Sequence, residues 1–515
     1  MKHRQSSFWQ LFLLLIMGQI VTLPVSAGSA PPKFDVAINN GRVVDPLNQR
    51  DGVASIGIRS GRIAAISAVP ITADKVIDAS GLIVAPGFID LHSHAISPRG
   101  QQFQLQDGVT TALELEAGSY PVAALEERFP KGAKIHFGAS SSHIGVRQRI
   151  LGNTLQPHFT DRPGALDKSA PHNPLAGLTD AADKREIEAM MALHHQALSQ
   201  GALGIGLPLD YLSTAVGDDE LIALFTLAAG RKAPVFVHIR RGLPGDLSGL
   251  DDVIHLAEIT GASVHVCHLQ ASAMVGTRAA MARIAAAREN GVQVTTEAYP
   301  YNAGSTTINA AVFRRNWREI FNIDYRDVQW AATGERLTEQ SFRMYQEEQP
   351  DGFVVHHYGS STDTDAVLGD PGIIVASDAM PLGDSDFAHP RGMGTFIRSL
   401  SHYVDEFDAE GQVSLVDMVA KMTLLPARLL ASIRPELSNK GHLSLGADAD
   451  IVVLDPKQLD DRATYLAPLQ PSAGVEWLLV CGQVAWPQSE LELARSAGRN
   501  LSGVAPSCGA DAGYE

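Results

Sequence analysis

The chain has 515 residues, 45% of them hydrophobic and 19% charged, a globular balance that excludes wholesale disorder and low-complexity scaffolds. A formal net charge of −16 without basic clusters argues against nucleic acid or an anionic membrane as a partner. Three scattered cysteines, Cys267, Cys481 and Cys508, cannot make a disulfide framework, so the expectation is a core held by packing alone.

Residues 1–27 read as a secretory signal. Lys2 and Arg4 precede an apolar stretch from Phe8 to Leu23, and Val25-Ser26-Ala27 offers a small-residue cleavage site. Gln10 and Gln19 interrupt the run, which leaves it short of the roughly 20 apolar residues of a membrane span. The expectation is an exported protein, periplasmic or secreted, with no membrane attachment after cleavage. From Phe34, apolar runs of period two are separated by Asn-Gly and Gly turns, as in "FDVAINNGRVVD" and "GVASIGIRSGRIAAIS", which predicts hairpins. "GADADIVVLDP" and "GVEWLLVCGQVAW" repeat this texture near the far end. Residues 28–85 and 436–490 are therefore expected to form one small β-sandwich domain built from both ends of the chain. The polar, Ala/Gly-rich stretch 491–515 reads as a flexible tail.

The middle, 86–435, alternates differently. Strand candidates fall at 82–94, 109–116, 134–143, 202–207, 235–240, 263–269, 292–299 and 372–378, with helical patterns between several of them. The clearest helix is "DAADKREIEAMMALHHQALSQG", with Ile187, Met190, Met191, Ala197 and Leu198 on one face and Gly201 as its stop; His194 and His195 are expected to be solvated. Eight strands with helical crossovers predict an α/β protein, a (β/α)8 TIM-like barrel. Two long connections, 144–180 and about 302–371, are expected to wall or cover the C-terminal mouth of the barrel, where chemistry sits.

The candidate chemistry lies at strand ends. His92 and His94 close the first barrel strand, and alternate strand residues share a face, so both imidazoles can point at one ion. Zn2+ takes neutral imidazole readily and can keep a position open for water. His238 and His268 end the fifth and sixth strands on the same rim, a pattern that packing explains poorly. His265 and Cys267 fall on the opposite face by the period of two and read as structural. Asp378 ends the eighth strand, where it could cap the next helix or exchange a proton with a metal-activated water.

These residues carry a resemblance. The order His-x-His, His, His, Asp along eight strands resembles the amidohydrolase superfamily. The segments "GVTT", "SHIGVRQRILG", "GALGIGLPLDY", "EAYPYNAGST", "VASDAMP", "HPRGMGTFIRSL" and "LPARLL" resemble its N-acyl-D-amino-acid deacylase (D-aminoacylase) family, from about Phe34 to Trp486. The resemblance implies a zinc-dependent enzyme, with one or two ions, that cleaves the amide of small N-acyl amino acids through a metal-bound hydroxide. It implies that His238 and His268 hold the tighter metal, that His92 and His94 line the second position, and that Asp378 is general base and then general acid. Tyr299 or Tyr301 and Arg391 would lie near the substrate. Arg391 suits a carboxylate by its paired N–H groups, or serves as a salt bridge in its loop. His143 and Arg147 match a rim motif without an assigned role, and His389 shapes a turn.

Three departures from the family stand out. Ala117 occupies the place of a metal-binding Cys after the second strand. Glu116 is the expected replacement as metal ligand and Glu114 the reserve. Gln270 stands where the family has a Lys that grips the substrate carboxylate. The fourth strand, "GALGIGLPLD", has no Lys to carry a carboxylated bridge, which leaves a mononuclear site or one bridged by Glu116. Two other readings stay open: a cyclic-amide hydrolase or deaminase on the same scaffold, and a metal-containing binding protein that has lost turnover.

Overall fold

The computed structural model describes residues 33–156, 158, 175–212, 215–382, 389–487, 497–503 and 508. The expected signal, part of the 144–180 connection and most of the tail lie outside the described residues. Eight parallel strands form the barrel: β1 (Phe88–Asp90), β2 (Val109–Ser119), β3 (His136–Ser142), β4 (Ile205–Leu207), β5 (Val235–Val237), β6 (Val264–Val266), β7 (Val294–Ala298) and β8 (Ile374–Val375). They are hydrogen-bonded in this order from β1 to β8. The seam between β8 and β1 closes just beyond the strands. Ser93 pairs with Ala379, the His94 N–H donates to the Ala379 carbonyl at 2.8 Å, and Asp90 accepts from the Ser377 backbone N–H at 3.0 Å.

The barrel is filled and jacketed by the apolar periodicity of its elements. Val235, Val237, Val264, Val266 and Val294 are buried on the strands. The helix Lys184–Ser199 starts at a capping box between Asp183 and Glu186 and buries Met190, His194, Ala197 and Leu198. His194 is thus not solvated as expected. It lies on the same stripe as Met190 and Leu198, and its ring nitrogens meet Ser141 at 2.8 Å and His143 at 3.0 Å. His195 is exposed.

The two ends of the chain build a second sheet. Phe34–Asp45 is its hub, antiparallel to Arg50–Arg59 along one edge. Its other edge pairs first with Ala73–Asp78 and then with Ile83–Pro86, and Ile451–Leu454, Val475–Val480 and Gln483–Trp486 continue from there. This forking encloses a core of Ile38, Ile56, Ile58, Ile63, Val84, Ile451 and Val453. Both sheets belong to one compact unit that begins at Phe34.

Two expectations are corrected at the end of the chain. Cys481 and Cys508 form a disulfide across 27 residues, so the cysteines do fasten the fold, and Cys267 is the free, buried one. Residues 497–503 are docked: Leu501 is fully buried, and the Phe137 N–H donates to the Arg499 carbonyl at 3.0 Å. The insertion after β7 carries its own antiparallel sheet (Gly304–Thr307, Phe353–His356, Val328–Trp330) around Phe313, Trp317, Phe321 and Phe342. Among the described residues no helix is long and apolar enough to cross a membrane.

Candidate active site

Just past β1, the side chains of His92 and His94 turn into the mouth, with their Nε2 atoms 3.3 Å apart. Period two on β2 carries Glu114 and Glu116 to the same interior. Gly118 then takes φ +67°, with Ser140 so close that a side chain there would collide. Gly206 on β4 faces the Glu116 carbonyl across space that a Cβ would fill to 2.5 Å. His238 follows β5, and His268 and Asp378 follow β6 and β8 with φ of +32° and +50°. Such left-handed backbone costs about 1–3 kcal/mol per residue and is tolerated where surrounding structure fixes it.

Glu116 is the centre of the cluster. Its Oε1 lies 2.8 Å from His238 Nδ1 and 2.9 Å from His268 Nε2. Its Oε2 lies 3.4 Å from His92 Nε2 and 3.5 Å from His94 Nε2. Asp378 Oδ1 faces the same two nitrogens at 3.4 and 3.5 Å. Glu114 lies behind His94, with both carboxylate oxygens 2.9 Å from its Nδ1. Glu297, not singled out by sequence, bonds His92 Nδ1 at 2.5 Å and His265 Nε2 at 3.0 Å. His265, expected to be structural, therefore orients the carboxylate that orients His92.

This arrangement fits a cation. When Glu297 and Glu114 accept the Nδ1 protons, both Nε2 atoms present lone pairs towards each other, Glu116 and Asp378. Acceptors then converge on acceptors in a buried space, a repulsion that a cation relieves. Without an ion, the site would draw that charge onto the rings. Burial lowers His92 and His94, but Glu116, Asp378 and Glu297 around the first ring and Glu114 and Asp378 around the second hold both well above the ordinary histidine range. Burial pushes Glu116 up, and His92, His238 and His268 override it downward. Overlapping donor groups result, among them His92–His94–Glu116, Glu116–His238–His268 and His92–His268–Asp378, with ligand atoms within 4.8 Å in each. Imidazole and carboxylate donors suit zinc.

The cluster opens into a cavity of about 610 Å3 lined also by Asp210, Arg241, Tyr299, Arg315, His356 and Arg391. Arg391 is buried beneath the cluster, with Nη2 3.0 Å from Asp378 Oδ2 and its guanidinium 4.8 Å from the Tyr299 ring centre. Its Nη1 has no hydrogen-bond partner among the described residues. Burial raises Asp378, but Arg391, His92, His94 and His268 hold the carboxyl well below its usual range, so it is ionised at neutral pH. Tyr299 lines the cavity, whereas Tyr301 turns away, donates to the Pro390 carbonyl at 3.4 Å and packs against His389 and Tyr465. Gln270 donates to the Tyr299 carbonyl at 2.8 Å and is not part of the lining. His389 spans its turn, accepting the Arg391 N–H at 3.1 Å. Arg147 bonds Glu220 and the Gly177 carbonyl, pinning a wall segment.

Residues 75–485 match the model of the Amidohydrolase family. The chain is also 31% identical over 493 residues to N-acyl-D-glutamate deacylase from Alcaligenes xylosoxydans xylosoxydans, covering 89% of this chain and 94% of that protein. The chain belongs to the amidohydrolase superfamily, in its N-acyl-D-amino-acid deacylase family. D-aminoacylase of the same organism is 27% identical, over 92% of this amidohydrolase and 98% of that one. Among solved structures, N-acyl-D-glutamate deacylase from Bordetella bronchiseptica, in complex with zinc and a phosphonate inhibitor, superposes with a TM-score of 0.73 at 26% identity. That match covers 92% of this amidohydrolase and 100% of the other chain. It is a hydrolase of carbon–nitrogen bonds other than peptide bonds.

Proposed function

We propose that this amidohydrolase is a zinc enzyme that cleaves the amide of small N-acyl-D-amino acids, with Glu116 shared between two metal positions. The observation that carries the reading is the convergence of Glu116 and four imidazoles on one buried point beside an ionised Asp378. A divalent ion there would supply Lewis acidity and a water acidified towards a pKa of about 7. His238 and His268 would hold the first ion with Glu116 Oε1, and His92 and His94 the second with Oε2.

The remaining steps belong to the chain. Asp378 Oδ1 takes the proton of the attacking water and passes it to the departing nitrogen, while Arg391 holds Oδ2 and so fixes the carboxylate plane. The free Nη1 of Arg391 is placed to grip the substrate α-carboxylate, with the Tyr299 ring beneath it. Apolar wall residues, Ile144, Leu178, Val312 and Phe353, suit an acyl chain. Glu116, with Oε1 2.8 Å from His238 Nδ1 and 2.9 Å from His268 Nε2, supports an intact site over a binding protein that lost turnover with its cysteine.

Export is part of the proposal. The signal-like residues 1–27 and the Cys481–Cys508 disulfide both favour an oxidising compartment. The test is hydrolysis of matched N-acetyl-D- and N-acetyl-L-amino acids by the purified, zinc-loaded protein. Turnover of the D series that disappears in Asp378→Asn while zinc stays bound supports the reading. Turnover confined to hydantoins or other cyclic amides refutes it.

A further inference from the structure

His143 and Arg147 take no part in the proposed chemistry, yet both are fully buried in a polar chain behind the mouth. Ser141 Oγ lies 2.8 Å from His194 Nδ1, His194 Nε2 3.0 Å from His143 Nδ1, and His143 Nε2 2.8 Å from Glu220 Oε1. Burial raises Glu220, but His143 and Arg147 hold it below its usual range, so it is ionised. Burial holds both imidazoles below the ordinary histidine range, so both are neutral. Every proton in the chain is then assigned: Ser141 donates to His194, His194 to His143, and His143 to Glu220. The chain runs one way and ends on the carboxylate that Arg147 grips, with Nη1 2.5 Å from Oε1.

The rest of the Arg147 guanidinium holds backbone. Its Nε donates to the Gly177 carbonyl at 2.8 Å and its Nη2 to the Asp180 carbonyl. The short helix fixed in this way, Ala176–Thr179, lines the cavity with Leu178 and Thr179. Beside them stands Ile144, from the helix His143–Ile150 that also carries Arg147. At Gly177 a Cβ would come within 2.7 Å of the Gln148 backbone nitrogen, so the segment lies directly on that helix. A buried ion pair adds little net stability over apolar residues of the same volume. What the guanidinium fork does supply is geometry, since one planar group fixes two carbonyls and a carboxylate together.

This wall stands on the acyl side of the cavity. It lies between β3 and β4, whereas Arg391 follows β8, on the far side of the ring of eight strands. With the α-carboxylate on Arg391 and the scissile carbonyl at the metal cluster, the acyl chain runs towards Ile144, Leu178 and Val312. We infer that Arg147 is a positioning residue that holds the Ala176–Thr179 wall as the end stop of the acyl subsite, so that this wall sets the longest acyl group accepted. The inference rests on the function proposed above.

The experiment measures kcat and KM for the N-acetyl, N-butyryl, N-hexanoyl, N-octanoyl and N-decanoyl derivatives of the D-amino acid that the wild type turns over best. Each methylene buried on the way to the wall is worth about fourfold in kcat/KM, and a chain that overruns the stop should lose about tenfold. The wild type should therefore show an optimum length. Arg147→Met combined with Glu220→Gln removes both charges without stranding either, and melting temperatures check its fold. It should cut the loss beyond the optimum to a few-fold, through the KM of the longer substrates, with zinc content unchanged. Arg147→Lys keeps the charge but not the fork, and should fall between the two. Leu178→Trp, which brings the stop closer, should move the optimum to a shorter chain. A wild type indifferent to acyl length, or an equal change at every length in the double variant, overturns the inference and leaves the proposed function standing. So does an optimum that Leu178→Trp leaves in place. If no N-acyl-D-amino acid is hydrolysed, the proposed function fails, and calorimetric titration of the same ligands into zinc-loaded Asp378→Asn still reads the wall. An affinity optimum that moves with Leu178→Trp and flattens with Arg147→Lys supports the inference there, and affinity independent of length overturns it.

Discussion

Two buried clusters of histidine and acid occupy opposite ends of this barrel, and they are built to opposite rules. At the start of β3, His136 Nε2 meets Asp450 at 3.1 Å, and Lys440 reaches Asp450 at 2.6 Å and Asp448 at 2.9 Å. Arg62 adds a second cation 3.1 Å from Asp448. His136 accepts the Arg499 N–H on its other nitrogen, and burial and Lys440 hold its pKa down, so two cations face two carboxylates around a neutral ring. At the mouth, four imidazoles meet four carboxylates, Glu114, Glu116, Glu297 and Asp378, where Arg391 pairs with Asp378. Buried histidines and acids do not by themselves mark a site. An unbalanced set does, because it has meaning only with something added.

The largest expected effect at the mouth is that of Asp378→Asn, which should lower kcat about 10³-fold or more with metal content unchanged, as loss of a general base and acid does. Equal activity in that variant would remove Asp378 from the chemistry. At the closed end, Lys440→Met should leave two buried carboxylates short of a partner and cost about 3–5 kcal/mol in denaturant unfolding, with activity per folded molecule preserved. A metal requirement at that end would erase the contrast. Glu297→Gln sharpens it more gently. Losing the carboxylate behind His92 should weaken metal affinity by about 10–100-fold, measured by competition with a chelator, while the fold stays intact.

Much of the mouth was legible in the sequence. Period two places His92 with His94 and Glu114 with Glu116, and strand ends locate His238, His268 and Asp378. What period two cannot supply is the partner. Glu114 and Glu116 point the same way, yet one bonds the back of His94 while the other stands among four rings, and the pairing of β2 with β3 shifts register between Glu114 and Ser119. Glu297 is 205 residues from His92, and the Asp210–Arg315 pair spans 105, so neither has a local signature. Tyr299 and Tyr301 share a motif and differ only in what packs beside them. His194 was within reach of the helical pattern, since it falls on the buried stripe between Met190 and Leu198. The Cys481–Cys508 pairing depends on where the docked segment 497–503 returns the chain, which composition does not report.

The claim on which the rest depends is that Glu116 is shared by two metal positions. Its most direct test is the metal stoichiometry of the purified protein and of Glu116→Ala, by plasma mass spectrometry after dialysis against a weak chelator. The account predicts more than one equivalent of zinc in zinc-supplemented wild type and loss from both positions in the variant. A protein free of transition metal, or a Glu116→Ala variant that keeps its full complement, contradicts it.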